Sequence, residues 1–157
     1  MRLETFRAVQ RLPATIAEAW AFFSDPRNLG KITPPSLGLR ITSDLPGRMH
    51  AGMIVTYDVR PFPGVFVGWV TEITHVEEPH RFVDEQRFGP YRFWHHTHRF
   101  REVDGGVEAE DVVRYALPFG ALGAAVAGRI VRRRLEEIFA YRKRVLEGMV
   151  LSGTGNG

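Results

Sequence analysis

Over positions 3–117 the chain alternates apolar and polar residues in short runs. Over 119–149 the apolar positions fall instead at helical spacing. In that last run they recur at Leu122, Val126, Ile130, Leu135, Ile138, Phe139, Val145, Leu146 and Met149, with charged residues on the opposite face. The spacing predicts one long amphipathic helix. At about 1.5 Å per residue it would extend ~45 Å, and a helix of that length holds in water only if its apolar stripe is covered. Its first half is built from small residues (Gly120, Ala121, Gly123, Ala124, Ala125, Ala127, Gly128), and only its second half is bulky. Small residues at one end leave room between the helix and whatever covers it.

The cover is predicted to be a sheet. Positions 3–12 read as a strand, with Glu4, Phe6, Ala8 and Gln10 on one face, and Pro13 ends it. Thr15-Ile16-Ala17-Glu18 is a capping box. A short helix then runs to about position 24, burying Ile16, Ala19, Trp20 and Phe23. Asp25 as N-cap and Pro26 at the first helical position start a second short helix, which runs through Leu29 and stops by Pro34-Pro35. Six strands follow, over 37–43, 52–60, 65–76, 81–88, 91–103 and 107–117. Short turn signals separate them: Pro61-Phe62-Pro63-Gly64, Glu77-Glu78-Pro79-His80, Gly89-Pro90 and Asp104-Gly105-Gly106. Short connections between successive strands imply an antiparallel meander. The Gly-rich tail, 152–157, is expected to fray, and no repeat or domain boundary interrupts 1–151.

At 157 residues, 44% apolar and 25% charged, the chain has the composition of a soluble globular domain with one sizeable core. It has no cysteine, which excludes disulfides, thiolate metal sites and thiol catalysis. No apolar run reaches the ~18 residues a membrane helix requires. The nearest, 117–131, is broken by Pro118, Arg129 and glycines, so no integral membrane association is expected. The first residues lack the apolar region of a signal peptide, which makes a cytoplasmic location the expectation. Lys31 and Lys143 are the only lysines among 21 basic residues, and the net charge is +3. Arg129, Arg132, Arg133, Arg134, Arg142 and Arg144 would give the last helix a basic face. Glu136, Glu137 and Glu147 interleave with them, which suits a solvated face better than a phosphate-tracking stripe. No nucleic-acid partner is therefore expected.

Candidate chemistry centres on Trp94-x-His96-x-His98-x-Phe100. Side chains two apart on a strand share a face. Large apolar Trp94 and Phe100 assign that face to the concave interior, leaving Phe93, His95, Thr97, Arg99 and Arg101 to solvent. The flanking strands would add Phe82, Asp84 and Gln86 on one side and Asp111, Val113 and Tyr115 on the other. The concave surface thus collects Asp84, Gln86, His96, His98, Asp111 and Tyr115 among aromatic residues; Tyr57, Phe66, Trp69 and Phe82 are further candidates to line a cavity, with a plain core role as the alternative for each.

Buried polar groups cost roughly 1–3 kcal/mol each unless paired, and three readings follow. The Asp and His side chains pair across strands and hold the sheet. Or they are the polar end of an apolar ligand pocket. Or His96 and His98 with a carboxylate make a metal site or an acid–base pair. Two histidines at i, i+2 are by themselves a weak metal signature, so no metal or cofactor is assigned. No Gly-x-Ser-x-Gly elbow, P-loop or His-Glu-x-x-His is present.

The order strand, two short helices, six strands, long helix resembles the helix-grip fold of the START-like, or SRPBCC, superfamily. That superfamily includes the birch pollen allergen family, steroidogenic lipid-transfer domains and polyketide cyclases. The resemblance covers 3–151. It is closest to a bacterial ligand-binding subgroup through Asp25-Pro26-Arg27-Asn28-Leu29 with Ile32-Thr33-Pro34-Pro35, through Gly89-Pro90-Tyr91 with Trp94-His95-His96-Thr97-His98-Arg99-Phe100, and through Tyr115-Ala116-Leu117-Pro118-Phe119-Gly120. Some members of that subgroup carry a sugar-nucleotide epimerase label, but this chain has no Gly-rich strand-to-helix fingerprint for a nicotinamide cofactor.

The resemblance implies an α+β fold: a curved seven-stranded antiparallel sheet wrapped around the C-terminal helix, with a cavity between them. In that superfamily a loop such as 61–66 often caps the cavity mouth, and an ordinary surface turn is the equal alternative there. The expected function is binding of a small or medium hydrophobic molecule (a lipid, polyketide or aromatic compound). The alternative is a polyketide cyclase or dehydratase with His96 or His98 as general base. A third class is an adaptor that docks through the arginine face of the long helix.

Overall fold

The computed structural model describes residues 3–153 except Pro46, Pro63 and Phe119, and it leaves the side chains of 61–62, 120–126 and 150–153 undescribed. In order, the elements are β1 (Glu4–Leu12), α1 (Ile16–Phe23), 3-10 segments Pro26–Ile32 and Pro35–Leu37, and β2 (Arg40–Ile41). Then come β3 (Ile54–Phe62), β4 (Val65–Glu77), β5 (Arg81–Phe88), β6 (Phe93–Val103), β7 (Gly106–Ala116) and α2 (Gly120–Gly153). The strands form one antiparallel sheet in the order β1-β7-β6-β5-β4-β3-β2. From β2 to β7 each strand pairs with its successor, and β1 closes the other side by pairing with β7.

Local chemistry explains the starts and stops. The Thr15 hydroxyl accepts from the Glu18 amide at 3.2 Å while the Thr15 amide donates to the Glu18 carboxylate at 2.8 Å, so two helix-end donors are satisfied at once. The Asp25 carboxylate accepts from the Arg27 amide at 3.0 Å and starts the first 3-10 segment, which continues past Leu29 to Ile32. The strand expected over 37–43 is reduced to Arg40–Ile41. Pro34 and Pro35 start a 3-10 turn that Gly38 ends at φ 53°, and the ring of Pro35 removes an amide that a ladder would need. The expected loop 61–66 is a tight hairpin, since β3 runs to Phe62 and β4 resumes at Val65. α2 continues through Gly153, so 152–153 are helical rather than tail; 154–157 lie outside the described residues.

The sheet turns its apolar face inward onto α1 and α2. Trp20 of α1 packs edge-on against Phe82 and Phe100 at 5.9 and 6.1 Å between ring centroids. On the other side Leu135 and Phe139 of α2 pack with Phe6, Val113 and Tyr115. Register shifts in the β4–β5 pairing, between Val70 and Thr71 and between Ile73 and His75, mark bulges, which bend and twist a strand.

The outer face is not uniformly wet. Thr97 is buried, against the expectation that it faces solvent. It lies in register between Val83 and Val112, and both are buried with it. Cross-strand ion pairs flank that row: Arg7 and Arg99 on Glu110, Arg11 and Arg101 on Glu108. Long guanidinium side chains cover apolar surface with their stems while their heads stay in water.

Candidate functional site

A cavity of about 460 Å³ lies between the concave face of the sheet, the α1 and 3-10 region, and α2. On the sheet side its wall is aromatic. Trp69 stacks on Tyr57 at 5.9 Å and meets Trp94 edge-on at 5.3 Å, and Tyr91 lies 4.7 Å from Trp94. On the helix side the wall includes Ile130, Val131, Leu135, Ile138 and Phe139. The room was expected beside the small residues of α2. Of these only Ala127 is seen to line it, because 120–126 lie outside the described side chains. The described wall of α2 combines Ala127 with the bulky Ile130, Val131, Leu135, Ile138 and Phe139.

One patch on the sheet side of this wall is charged. Strand register places Asp84 opposite His96 and His98 opposite Asp111. The same-face residues of three adjacent strands thus form a four-cornered cluster. His98 Nε2 lies 2.8 Å from Asp84 Oδ2 and His98 Nδ1 lies 3.0 Å from Asp111 Oδ1. His96 Nε2 lies 2.8 Å from the same Asp111 oxygen, and His96 Nδ1 lies 3.4 Å from Asp84 Oδ2. The two imidazoles overlap at 3.8 Å between centroids, and Phe82 stacks on the outer side of His98 at 4.0 Å. Arg142 comes from α2 with Nη1 3.5 Å from Asp111 Oδ1, its guanidinium 4.6 Å over the Phe139 ring.

A carboxylate oxygen only accepts, so both nitrogens facing Asp111 Oδ1 carry hydrogens. His98 donates from both nitrogens and is imidazolium. Burial opposes that charge, but the Asp111 and Asp84 carboxylates outweigh it and raise the His98 pKa. His96 is the neutral partner: burial and the neighbouring His98 charge push its pKa down. Burial alone would raise the pKa of Asp111, yet hydrogen bonds from His96 and His98 and the charge of Arg142 hold its carboxyl well below the usual range. Asp84 is likewise lowered, with burial overcome by His96 and His98. Two carboxylates, one imidazolium and one guanidinium sum to zero, which is how four charged groups sit together in a buried wall.

Burial, aided by the Asp84 charge, pushes the Tyr57 phenol up, and its hydroxyl pairs with Thr71 at 2.7 Å. Burial also pushes Tyr91 up to about 12. Neither tyrosine is a phenolate at neutral pH.

Of the residues expected to line the site, Tyr57, Trp69, Phe82, Asp84, Trp94, His96 and His98 do so. Four do not. Phe66 is 69% exposed, with the Arg60 guanidinium 5.9 Å over its ring, because the tight 62–65 hairpin leaves it on a strand face turned to solvent. Gln86 points along the strand end and holds the next turn through the Tyr91 carbonyl and amide, at 2.7 and 3.2 Å. Tyr115 is in the core with Phe6 and Leu135. Asp111 stands behind the histidines, bordering a separate, smaller recess between β1 and α2.

Arg142 was expected on the solvated basic face. It is instead only 7% exposed, inside the wall. Its place in the series Leu135, Phe139, Arg142, Leu146 is the signal that identifies it, since the intervals of four, three and four residues keep it on the inward stripe. Tyr91 was also missed as a lining residue. It sits just before β6, where the strand period does not yet apply.

The family model described as polyketide cyclase / dehydrase and lipid transport matches residues 4–147. No curated protein matches the sequence. Among solved structures, the chain is similar to the Zhui aromatase/cyclase from Streptomyces sp. R1128, at 12% identity and TM-score 0.72, covering 95% of this chain and 94% of that one. It is similar to protein Ms6760 from Mycobacterium smegmatis, at 20% identity and TM-score 0.68, covering 98% of both chains. It is also similar to Ara h 8.0201, at 17% identity and TM-score 0.67, covering 96% of this chain and 99% of that one. At these identities the likeness is one of fold, and the shared fold is the helix grip.

Proposed function

The chain belongs to the polyketide cyclase/dehydrase and lipid transport family, and from that premise we propose that it binds a small or medium hydrophobic molecule in the space between sheet and α2. The observation that carries this reading is a cavity of about 460 Å³ whose wall is mostly aromatic and aliphatic, with the Asp84–His96–His98 patch on its sheet side and a few further polar residues such as Asn28, Thr33 and Thr71. Its volume falls in the range of small-molecule sites, roughly 300–1,000 Å³. Apolar burial supplies affinity at about 25 cal/mol per Å², before the costs of association. The cavity-facing edge of the Asp84–His96–His98–Arg142 patch supplies orientation to an oxygen-bearing end. Lipids, polyketides and aromatic compounds share that chemistry.

Native mass spectrometry of gently purified protein, followed by denaturing extraction, tests this directly. A discrete bound mass at near-unit occupancy is the expected result. Trp69 and Trp94 line the cavity while Trp20 is packed in the core, so titration with a fitting hydrophobic compound should change the tryptophan fluorescence and saturate. No saturable change across lipid, polyketone and aromatic panels would remove the reading.

A cyclase or dehydratase is the second reading, and one atom favours it. His96 Nδ1, 3.4 Å from Asp84, is the ring nitrogen of the pair with no close hydrogen bond. It is the base this reading requires, whereas His98 is engaged at both nitrogens, at 2.8 and 3.0 Å. Under it, polyketone turnover should vanish in His96→Gln.

A further inference from the structure

We propose that Asp84, His96 and His98 form a site for one divalent first-row transition cation, opening onto the cavity and braced from behind by Asp111. The three residues offer ligand atoms that all lie within 4.8 Å of one another, and all three line the cavity while Asp111 does not.

The orientation of the rings is the main argument. Each histidine turns one nitrogen to Asp111 Oδ1, His96 Nε2 at 2.8 Å and His98 Nδ1 at 3.0 Å. Each therefore turns its other nitrogen, His96 Nδ1 and His98 Nε2, toward Asp84 Oδ2. Metal-binding histidines almost always donate their second N–H to a carboxylate, which fixes the tautomer and raises the basicity of the ligating nitrogen. Here one carboxylate does this for both rings, and Arg142 at 3.5 Å holds it in place.

In front of that brace, two imidazole nitrogens and one carboxylate oxygen converge. Three such acceptors repel one another unless a cation lies among them. A single proton, on His98, now serves. A divalent cation in place of that proton satisfies all three. Ligands at about 2.0–2.2 Å from a tetrahedral ion stand roughly 3.3–3.5 Å apart. The His96–Asp84 separation of 3.4 Å already fits. The His98–Asp84 contact of 2.8 Å must open by about half an ångström to reach that spacing.

Two imidazoles with one carboxylate and a vacant side suit Zn²⁺ or Fe²⁺. The vacant side faces the cavity, so an oxygen of a bound molecule, or water, completes the coordination. Replacing the proton with a divalent ion changes the neutral cluster to a net charge of +1, which favours an anionic or enolic oxygen there.

The test uses the full chain, stripped with a chelator and titrated with Co²⁺ (followed by its visible absorption) and with Zn²⁺ and anaerobic Fe²⁺ by calorimetry. One ion per chain is expected, with a Co²⁺ spectrum of four or five ligands. Asp84→Asn, His96→Gln and His98→Gln should each abolish the spectrum. Asp111→Asn, which keeps the shape of the brace and an acceptor oxygen but removes its charge, should weaken affinity about 10–100-fold. His75→Gln and His80→Gln, at exposed positions, should leave it unchanged. Near-UV circular dichroism checks that each variant is folded. If a substitution to Asn or Gln prevents folding, Asp84→Glu keeps the carboxylate and should retain the ion with a shifted spectrum. Failure of all three metals to bind at millimolar concentration overturns the proposal, as does binding that survives both histidine substitutions. The assay contains no hydrophobic ligand, so its outcome is independent of whether the cavity binds one.

Discussion

Arg142 occupies a position where the period of α2 calls for an apolar side chain, and its charge is tolerated because Asp111 sits across the gap. The pair belongs to a neutral set of four charges, and removing one member leaves the others buried and uncompensated. Asp111→Ala should therefore destabilise the protein by about 3–5 kcal/mol, read as a lower midpoint of urea unfolding with an unchanged slope. The same experiment on Arg133→Ala, whose partner Glu137 is one helical turn away at 3.2 Å on the exposed face, should show no measurable change, because water screens such pairs. Burial, rather than the number of charges, sets the difference. Trp94 and Tyr57 illustrate the same point for polar handles. The Trp94 side chain donates toward Asp84 and the Tyr57 hydroxyl meets Thr71, so both rings face the cavity with their polar atoms accounted for.

At the scale of elements, strand periodicity identifies faces well and strand ends poorly. Trp94, His96, His98 and Phe100 fall on one side of β6 as alternation requires, and the partners on β5 and β7 fall with them. Ends depend on particular residues. Pro34-Pro35 cut β2 to two residues, and the hairpin after β6 turns at Asp104-Gly105, with Gly105 at φ 82°. Gly106, at φ 152°, passes so close to β1 that an added Cβ would lie 2.0 Å from the Leu12 carbonyl oxygen. Gly106→Ala should thus cost more than about 1 kcal/mol, seen as a fall in Tm. Thr15→Ala, which removes the α1 cap, should cost about 1 kcal/mol by the same measurement.

For the whole molecule, the cavity lies between the concave face of a sheet that carries bulges in the β4–β5 pairing and the long helix α2. Its helix-side wall includes Ile138, which is lining but belongs to neither packed core cluster. Ile138→Trp should fill the space without disturbing the core. Tm should stay within a few degrees while the affinity for any cavity ligand drops at least about tenfold, or roughly 1.4 kcal/mol. Unchanged affinity would place the ligand elsewhere. The exposed arginines of α2 pair with glutamates along the helix, Arg132 with Glu136 and Arg133 with Glu137. That pairing suits a solvated surface. Among the described residues no helix is long and apolar enough to cross a membrane.

The sequence alone determined the strand and helix order, the antiparallel meander, the capping box, and which residues of β5, β6 and β7 share the concave face. These follow from periods of two and 3.6 and from local hydrogen bonding, all carried by residues near one another in the chain. Only the tertiary structure decided that β1 lies beside β7, that Arg142 meets Asp111 across 31 positions, that Phe66 turns outward, and that Asp111 rather than Asp84 stands behind the histidines. Those facts depend on register between distant strands and on where a long helix crosses a bent sheet. Such contacts are set by packing of the whole core, which no local period encodes.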